Sequence, residues 1–287
     1  MKIAGCLLMM GMIFLYPEKT ADAARGALRV FGMDIVPTLF PYMVLTRMLI
    51  ARLKSGSRSS LFVCAVLGCL GGSPSGASMI QSLASSQKIQ RKTVYALCAL
   101  TGTISPIFLL NTVGRWLGHS PLASLLTISH FIGAALTALL VYLAFYKEDV
   151  TIESRNSAVQ VTDENTILTC ATSILGIGGC LVFYSVVSEV ITLLVFQSDG
   201  FFSAFMHATL EISGGMKKLA IYFPQAQGKL GIVMAFSCGF SGLSILSQNE
   251  LFLKRIGITL PKLIVISILR ACFSAAVMFM LLRIYAS

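Results

Sequence analysis

The sequence predicts an all-α integral membrane protein, polytopic, with two inverted repeats that each hold a re-entrant hairpin and a broken helix. Three observations carry this. Of 287 residues, 56% are hydrophobic and only 12% charged, with a mean hydropathy of +0.83, whereas a soluble domain carries roughly 25% charged residues. Apolar stretches approaching or exceeding the roughly 20 residues of a helical span recur along the chain, separated by short charged loops. Finally, the second and third stretches of each half are interrupted by Gly, Ser, Thr or Pro, so that an order of whole, interrupted, broken and whole elements occurs twice.

Residues 1–34 are expected to hold a short span and an interfacial helix. Ile3 to Tyr16, behind Lys2, has the length of a signal-peptide core, and Ala21-Asp22-Ala23 resembles a cleavage site. Retention is the expectation, because nothing downstream resembles a secreted soluble domain. The mixed-charge stretch from Pro17 to Asp34 reads as the interfacial helix.

The first repeat, residues 35–146, opens with a whole span, Ile35 to Leu53. Leu61 to Leu83 follows, interrupted at Gly71-Gly72-Ser73-Pro74-Ser75-Gly76. Gly and Pro at adjacent positions withdraw backbone support from a helix. At membrane depth such a break survives only inside protein or beside a wet cavity, so a re-entrant hairpin is expected. Thr93 to Leu117 is broken at Thr101-Gly102-Thr103-Ile104-Ser105-Pro106, and Pro121 to Tyr146 is whole.

A polar, acid-rich linker, residues 147–166, leads to the second repeat, residues 167–287. There the stretches are Ile167 to Phe196, a Gly-interrupted Phe201 to Phe223, a broken Leu230 to Phe252, and a whole Pro261 to Tyr285. A displacement of 140 positions places Ser73 on Ser213, Gly102 on Gly242, Arg115 on Arg255 and Pro121 on Pro261. If each hairpin enters and leaves on one side, a repeat crosses three times, and an odd number inverts the next copy.

The net charge of +10, from 22 Lys and Arg against 12 Asp and Glu, is spread over loops rather than gathered in one patch. That excludes nucleic acid as the expected partner and leaves an orientation signal and an attraction to anionic lipid. Arg52, Lys54 and Arg58 before the first hairpin, and Lys88, Arg91 and Lys92 after it, place both loops in the cytoplasm. It follows that the amino terminus, Lys254, Arg255 and Lys262 lie inside and the carboxyl terminus outside, with Lys19, Arg25 and Arg29 outside against the trend. The eight cysteines lie in apolar stretches without a CxxC pair. They read as small buried hydrophobes, and neither a disulfide framework nor a metal or cofactor is expected.

Paired breaks point to a substrate site near the bilayer midplane, because half-helix amino termini present free N–H groups to an anion. The candidate substrate-binding residues are Ser73, Ser75, Thr101, Thr103, Ser105, Asn111, Ser213, Ser241, Ser244 and Gln248, with Ser247 and Asn249 nearby. Such side chains replace a solute's hydration shell, although small hydroxyls also let membrane helices pack closely. Glu211, deep in an apolar stretch, is read as a group for a coupling proton, a cation or the solute, or as a glutamate that only locks helices. Arg270, in the last span, either pairs with Glu211 or binds an anionic solute. His130 occupies the place equivalent to Arg270 and reads first as a packing residue. Lys217 and Lys218 are expected at the outer interface. Enzyme signatures are missing: Ala77 stands where a phosphate loop needs lysine, and no HExxH or GxSxG occurs.

Val36-Pro37-Thr38-Leu39-Phe40-Pro41, the Gly-Gly-Ser-Pro-Ser-Gly-Ala of residues 71–77, Ser105-Pro106-Ile107-Phe108, Leu210-Glu211-Ile212-Ser213-Gly214-Gly215 and Gly239-Phe240-Ser241-Gly242-Leu243-Ser244 together resemble the sporulation integral membrane protein YlbJ (SpoVV) family. That family belongs to the group with nucleoside-recognition Gate domains. The resemblance covers nearly the whole chain from about residue 30. It implies the cell membrane of an endospore-forming bacterium, with the mother-cell-derived outer forespore membrane as one candidate location, and passage of dipicolinate during spore maturation. The chain departs from the family in its shortness and in Ser-Pro-Ser at the first hairpin, where a Gly-Tyr-Pro-like turn is commoner. The expected function is therefore a transporter of a small polar or anionic solute, with a coupling proton or cation and a homo-oligomer as further expected partners. Two alternatives stand beside it: a non-transporting scaffold or assembly factor in spore formation, and a transporter of nucleosides or other dicarboxylates.

Overall fold

The computed structural model describes residues 3–52, 58–86, 88–118, 120–144, 151–152, 163–196, 200–222 and 227–286, and they are helical almost throughout. Among the described residues five helices are long and apolar enough to cross a membrane, and the protein is an all-α polytopic membrane protein. Helix α8 (Leu122–Ala144) shows why. Ile128, Ile132, Leu136, Leu139 and Leu143 form an exposed stripe, while Leu126, His130, Ala134, Thr137 and Val141 form a buried one. Both follow helical spacing. The outer stripe is wholly apolar and the inner one carries the polar groups, which is the pattern a lipid solvent imposes.

Helix α1 (Ile3–Leu15) is 13 residues long, or about 20 Å, short of the roughly 30 Å hydrocarbon layer. Helix α2 (Pro17–Val30) departs from expectation. Instead of lying apart as an interfacial helix, it runs through a π turn at Phe31–Ile35 into α3 (Val36–Arg52), forming one rod over Pro17–Ile50. The glycine at position 32 does not by itself stop a helix, and α2 is held along a later span by its buried Thr20 and Ala27 face.

Helices α4 (Arg58–Gly71) and α5 (Ser75–Ser86) are the limbs of the first hairpin, with Gly68 facing Gly76 across it. Helix α6 (Arg91–Thr101) then stops, and helix resumes through a π turn at Phe108–Val113 into α7 (Gly114–Trp116). This broken element runs antiparallel along the whole of α8. The Lys92 ammonium lies over the Tyr142 ring at 5.5 Å, the Ile104 N–H bonds His130 Nε2 at 2.9 Å, and Gly114 packs on Ala123.

The second half repeats the pattern. Helix α9 (Asp163–Ile191, extended by a π turn at Thr192–Phe196) is followed by the paired α10 (Phe201–Leu210) and α11 (Ile212–Ala220). The broken pair α12 (Gln227–Phe240) and α13 (Gly242–Leu253) runs antiparallel along α14 (Leu260–Ala286), with Gly231 against Met278, Gly239 against Ala271, and the Leu260 N–H on Glu250 Oε1 at 2.9 Å. Helices α8 and α14 cross where Gly133 meets Ser274. They are antiparallel: Leu122 and Leu282 both flank Gly231 at one end, and Lys92 and Lys262 stack on the Tyr142 and Tyr95 rings at the other. Equivalent elements therefore run in opposite directions, as inverted repeats require.

That second end carries Arg91, Lys92 and Lys262, whose charges lie over the Tyr95 and Tyr142 rings. A short antiparallel pair, Ile89–Gln90 with Thr151–Ile152, ties the linker to it. Residues 147–150 and 153–162 of the expected linker, and Lys54, lie outside the described residues. One break differs from expectation: Ser213, Gly214 and Gly215 are helical, and the interruption stands at Glu211. The glycine is used for approach instead, since a side chain at Gly215 would strike the Ala208 backbone of α10.

Apolar side chains gather in two clusters. One includes Ile80, Leu83, Val94, Val141, Leu253 and Leu263, at the end where the first hairpin enters; the other includes Leu109, Val113, Leu126, Leu219, Leu230 and Met278, at the opposite end. Each draws on both halves of the sequence. The breaks lie between them.

Candidate functional site

A polar layer forms where the two hairpin tips meet the two broken helices. In the first half the Ser73 N–H donates to the Thr103 carbonyl at 2.6 Å, and Gly72, at φ +65°, lies against the backbone of Thr103 and Ser105. The second half makes the matching contact, with Gly242, at φ +77°, against the backbone of Ala208 and Ile212. Positive φ and close backbone approach both favour glycine at these positions.

The charged groups of this layer are engaged by the chain itself. Glu211, buried at 4% exposure, caps α11: its carboxylate accepts from Ser213 N at 2.8 Å and Gly214 N at 2.6 Å. The anion expected at that helix amino terminus is thus a side chain of the protein. Arg270, 1% exposed, donates from Nε to the Gly239 carbonyl at 2.7 Å, from Nη1 to the Ala99 carbonyl at 3.2 Å and from Nη2 to Ser241 Oγ at 3.0 Å. Ala99 and Gly239 are equivalent positions of the two halves, so one guanidinium ties together the carboxyl ends of α6 and α12. The expected pairing with Glu211 is not among these contacts, which use three of the five guanidinium donors. His130 is its counterpart: Nε2 accepts the Ile104 N–H freed by the first break.

The hydroxyls divide into two sets. Ser75 bonds the Gly72 carbonyl at 2.8 Å, Thr101 the Leu97 carbonyl at 2.9 Å, and Ser105 Oγ accepts the Phe108 N–H at 3.3 Å, so these three support local backbone. Ser241, at φ +69°, donates to the Cys238 carbonyl at 3.0 Å, and Gln248 donates to Ser244 at 3.1 Å. Ser213 is buried beside the Glu211 carboxylate. Asn111 does not join the site. It is exposed, because Leu109 and Val113 on either side of it turn inward, and a residue two positions from each points outward.

Ser73, Thr103 and Asn249 form the other set. Ser73 Oγ accepts from Asn249 Nδ2 at 3.1 Å, joining the first hairpin tip to α13 of the second half. Thr103 Oγ1 and Asn249 Oδ1 are buried with no hydrogen-bond partner among the described residues. Few buried polar atoms are left so, because each costs about 1–3 kcal/mol. Both residues bond Ser73, Asn249 through its amide and Thr103 through its backbone carbonyl, whereas His130 Nδ1, Ser237 Oγ and Ser274 Oγ, which share the same lack of a partner, have no such contact with it.

Sequence reasoning passed over a further group. Glu189 on α9, His207 on α10 and Lys218 on α11 converge, with Lys218 Nζ 2.8 Å from His207 Nε2 and Glu189 Oε2 3.7 Å from Lys218 Nζ and 3.8 Å from His207 Nε2. The rule that singled out Glu211, an ionisable residue inside an apolar stretch, applies equally to Glu189 and His207. No protein-family model, curated protein or solved structure matches the chain. The family reading therefore rests on the sequence motifs.

Proposed function

We propose that the protein carries a small polar solute across a membrane, binding it in the layer between the hairpin tips and the broken helices. The observation that carries this reading is a pair of buried oxygens without a partner among the described residues, Thr103 Oγ1 and Asn249 Oδ1, on two residues that each bond Ser73. They offer a hydroxyl that donates or accepts and a carbonyl that accepts, in a layer that lies between two apolar clusters. Inverted halves and hairpins that enter from opposite ends give two equivalent gates, as alternating access requires.

The layer's charges favour a solute recognised by hydrogen bonds. Arg270 and Glu211 are held by backbone, so selection falls to neutral groups, and Asn249 Oδ1 favours a solute with an N–H or O–H donor. A nucleoside has such donors. Dipicolinate, the solute implied by the family resemblance, has only acceptors as a dianion, and fits if the Asn249 amide turns over to present Nδ2. In an endospore former the membrane would be the outer forespore membrane.

The test is uptake by the full-length protein in proteoliposomes, with labelled nucleosides in one arm and dipicolinate and other dicarboxylates in another. Asn249→Ala is expected to reduce uptake of the transported solute at least about tenfold, the worth of one lost buried hydrogen bond. A well-folded protein that moves and binds none of these probes while retaining a protein partner would replace this reading with the scaffold.

A further inference from the structure

The Glu189, His207 and Lys218 group lies outside the polar layer and has no part in it. His207 and Glu189 are buried and partly buried, with side-chain exposures of 8% and 22%, and Lys218 is about a third exposed at 32%. The group sits between the tip of the second hairpin and the end at which that hairpin opens. His207 is one turn from the tip: its carbonyl accepts the Glu211 N–H at 2.7 Å. Lys218 is seven residues past Glu211, about 10 Å along α11.

Of the other titratable groups on the elements around His207, Glu211 is turned into the amino terminus of α11, Tyr184 bonds Ser247 on α13 at 2.7 Å, Glu250 accepts from Leu260, and Lys217 and Lys229 are exposed. Among the described residues, Glu189 and Lys218 place charged groups against the imidazole.

An ammonium has donors only, so with Lys218 charged, His207 Nε2 must be an acceptor. Its Nδ1 then donates to Ser188 Oγ, with which it is in hydrogen-bond contact. The imidazole is neutral in this arrangement, and the three side chains sum to zero charge. A proton taken from water onto Nε2 forms an N–H bond there and removes the acceptor that Lys218 uses. Two cations would then face each other, which drives Lys218 away from the ring, and Glu189 Oε2, already 3.8 Å from Nε2, becomes a partner of the imidazolium. Loss of the same proton to water restores the first arrangement. Because Lys218 stands on α11 and Glu189 on α9, the exchange changes what holds the hairpin to the whole span beside it.

We infer that Glu189, His207 and Lys218 form a proton-binding site that couples the position of the second hairpin to the proton concentration at the end where that hairpin opens. This rests on the carrier reading for its use, though not for its existence.

The experiment is imidazole nitrogen NMR of the full-length protein in nanodiscs, with histidine labelled and His207 assigned by His207→Gln, across pH 5 to 9. Uptake is measured in parallel in proteoliposomes. The expected result is one protonation step at His207 whose midpoint moves by about one pH unit in opposite senses in Lys218→Met and Glu189→Gln, since one removes a repelling cation and the other an attracting anion. An imidazole that stays neutral throughout, in the wild type and in Lys218→Met, overturns the site even if uptake is normal. A titrating His207 in a protein that moves no solute keeps the proton site and overturns the carrier.

Discussion

Arg270 shows how a buried charge in a membrane protein can serve architecture. A bare guanidinium at that depth would be costly, but three of its donors reach two carbonyls and a hydroxyl, at helix ends where carbonyls lack intrahelical partners. Hydrogen bonds to a charged group are each worth about 1.5–3 kcal/mol. Arg270→Gln is accordingly expected to destabilise the protein by at least about 3 kcal/mol, seen as a lower melting temperature in detergent. Lysine would not rescue it, because a single ammonium lacks the fork that spans Ala99 and Gly239. Glu211→Gln should cost less, since its amide oxygen still accepts one of the two N–H groups that the carboxylate now caps. An Arg270→Gln protein as stable as the wild type would contradict the assignment of Arg270 as a tie between halves.

The hairpin tips depend on glycine in a way that two substitutions can separate. Gly72 and Gly118 have nearly the same backbone angle, φ +65° and +64°, but a Cβ at Gly72 would lie 2.5 Å from the Ser105 nitrogen, whereas at Gly118 it meets open space. Gly118→Ala therefore measures left-handed strain alone, about 1 kcal/mol. Gly72→Ala adds a clash between two backbones that cannot yield, and should be markedly less stable, with faster amide exchange at Ser73 as its bond to Thr103 opens. Equal losses in the two variants would mean that the tip does not bear on the broken helix. These elements are legible in the sequence because Gly and Pro mark where a helix must stop, and the displacement of 140 positions pairs His130 with Arg270. What was not readable is rotation about a helix axis and choice of partner. Asn111 looked polar enough for the site and points outward, Arg270 turned to carbonyls rather than to Glu211, and the break expected at Ser213 is set by Glu211 acting as a cap. The His207 group is spread over three elements with no shared motif, so only packing brings it together.

The two halves are held to each other by contacts that do not run through the linker. Arg270 joins α14 to α6, Asn249 joins α13 to the first hairpin, Gly133 and Ser274 let α8 and α14 cross closely, and both apolar clusters mix residues from each half. If those contacts suffice, chain continuity between residues 153 and 162 is dispensable. Co-expression of residues 1–155 with residues 158–287, each preceded by its own start, is expected to give a complex that purifies through a tag on either piece and binds solute as the intact chain does. Cutting the chain raises the cost of bringing the halves together, but in a bilayer the two pieces are already confined and oriented, so packing and interhelical hydrogen bonds carry association. Arg270→Gln introduced into the second piece should then lower recovery of the first far more than it lowers the yield of the uncut protein, because the linker no longer masks the lost tie. Halves that insert separately and never co-purify would show that the contacts between the repeats follow from the linker rather than replace it.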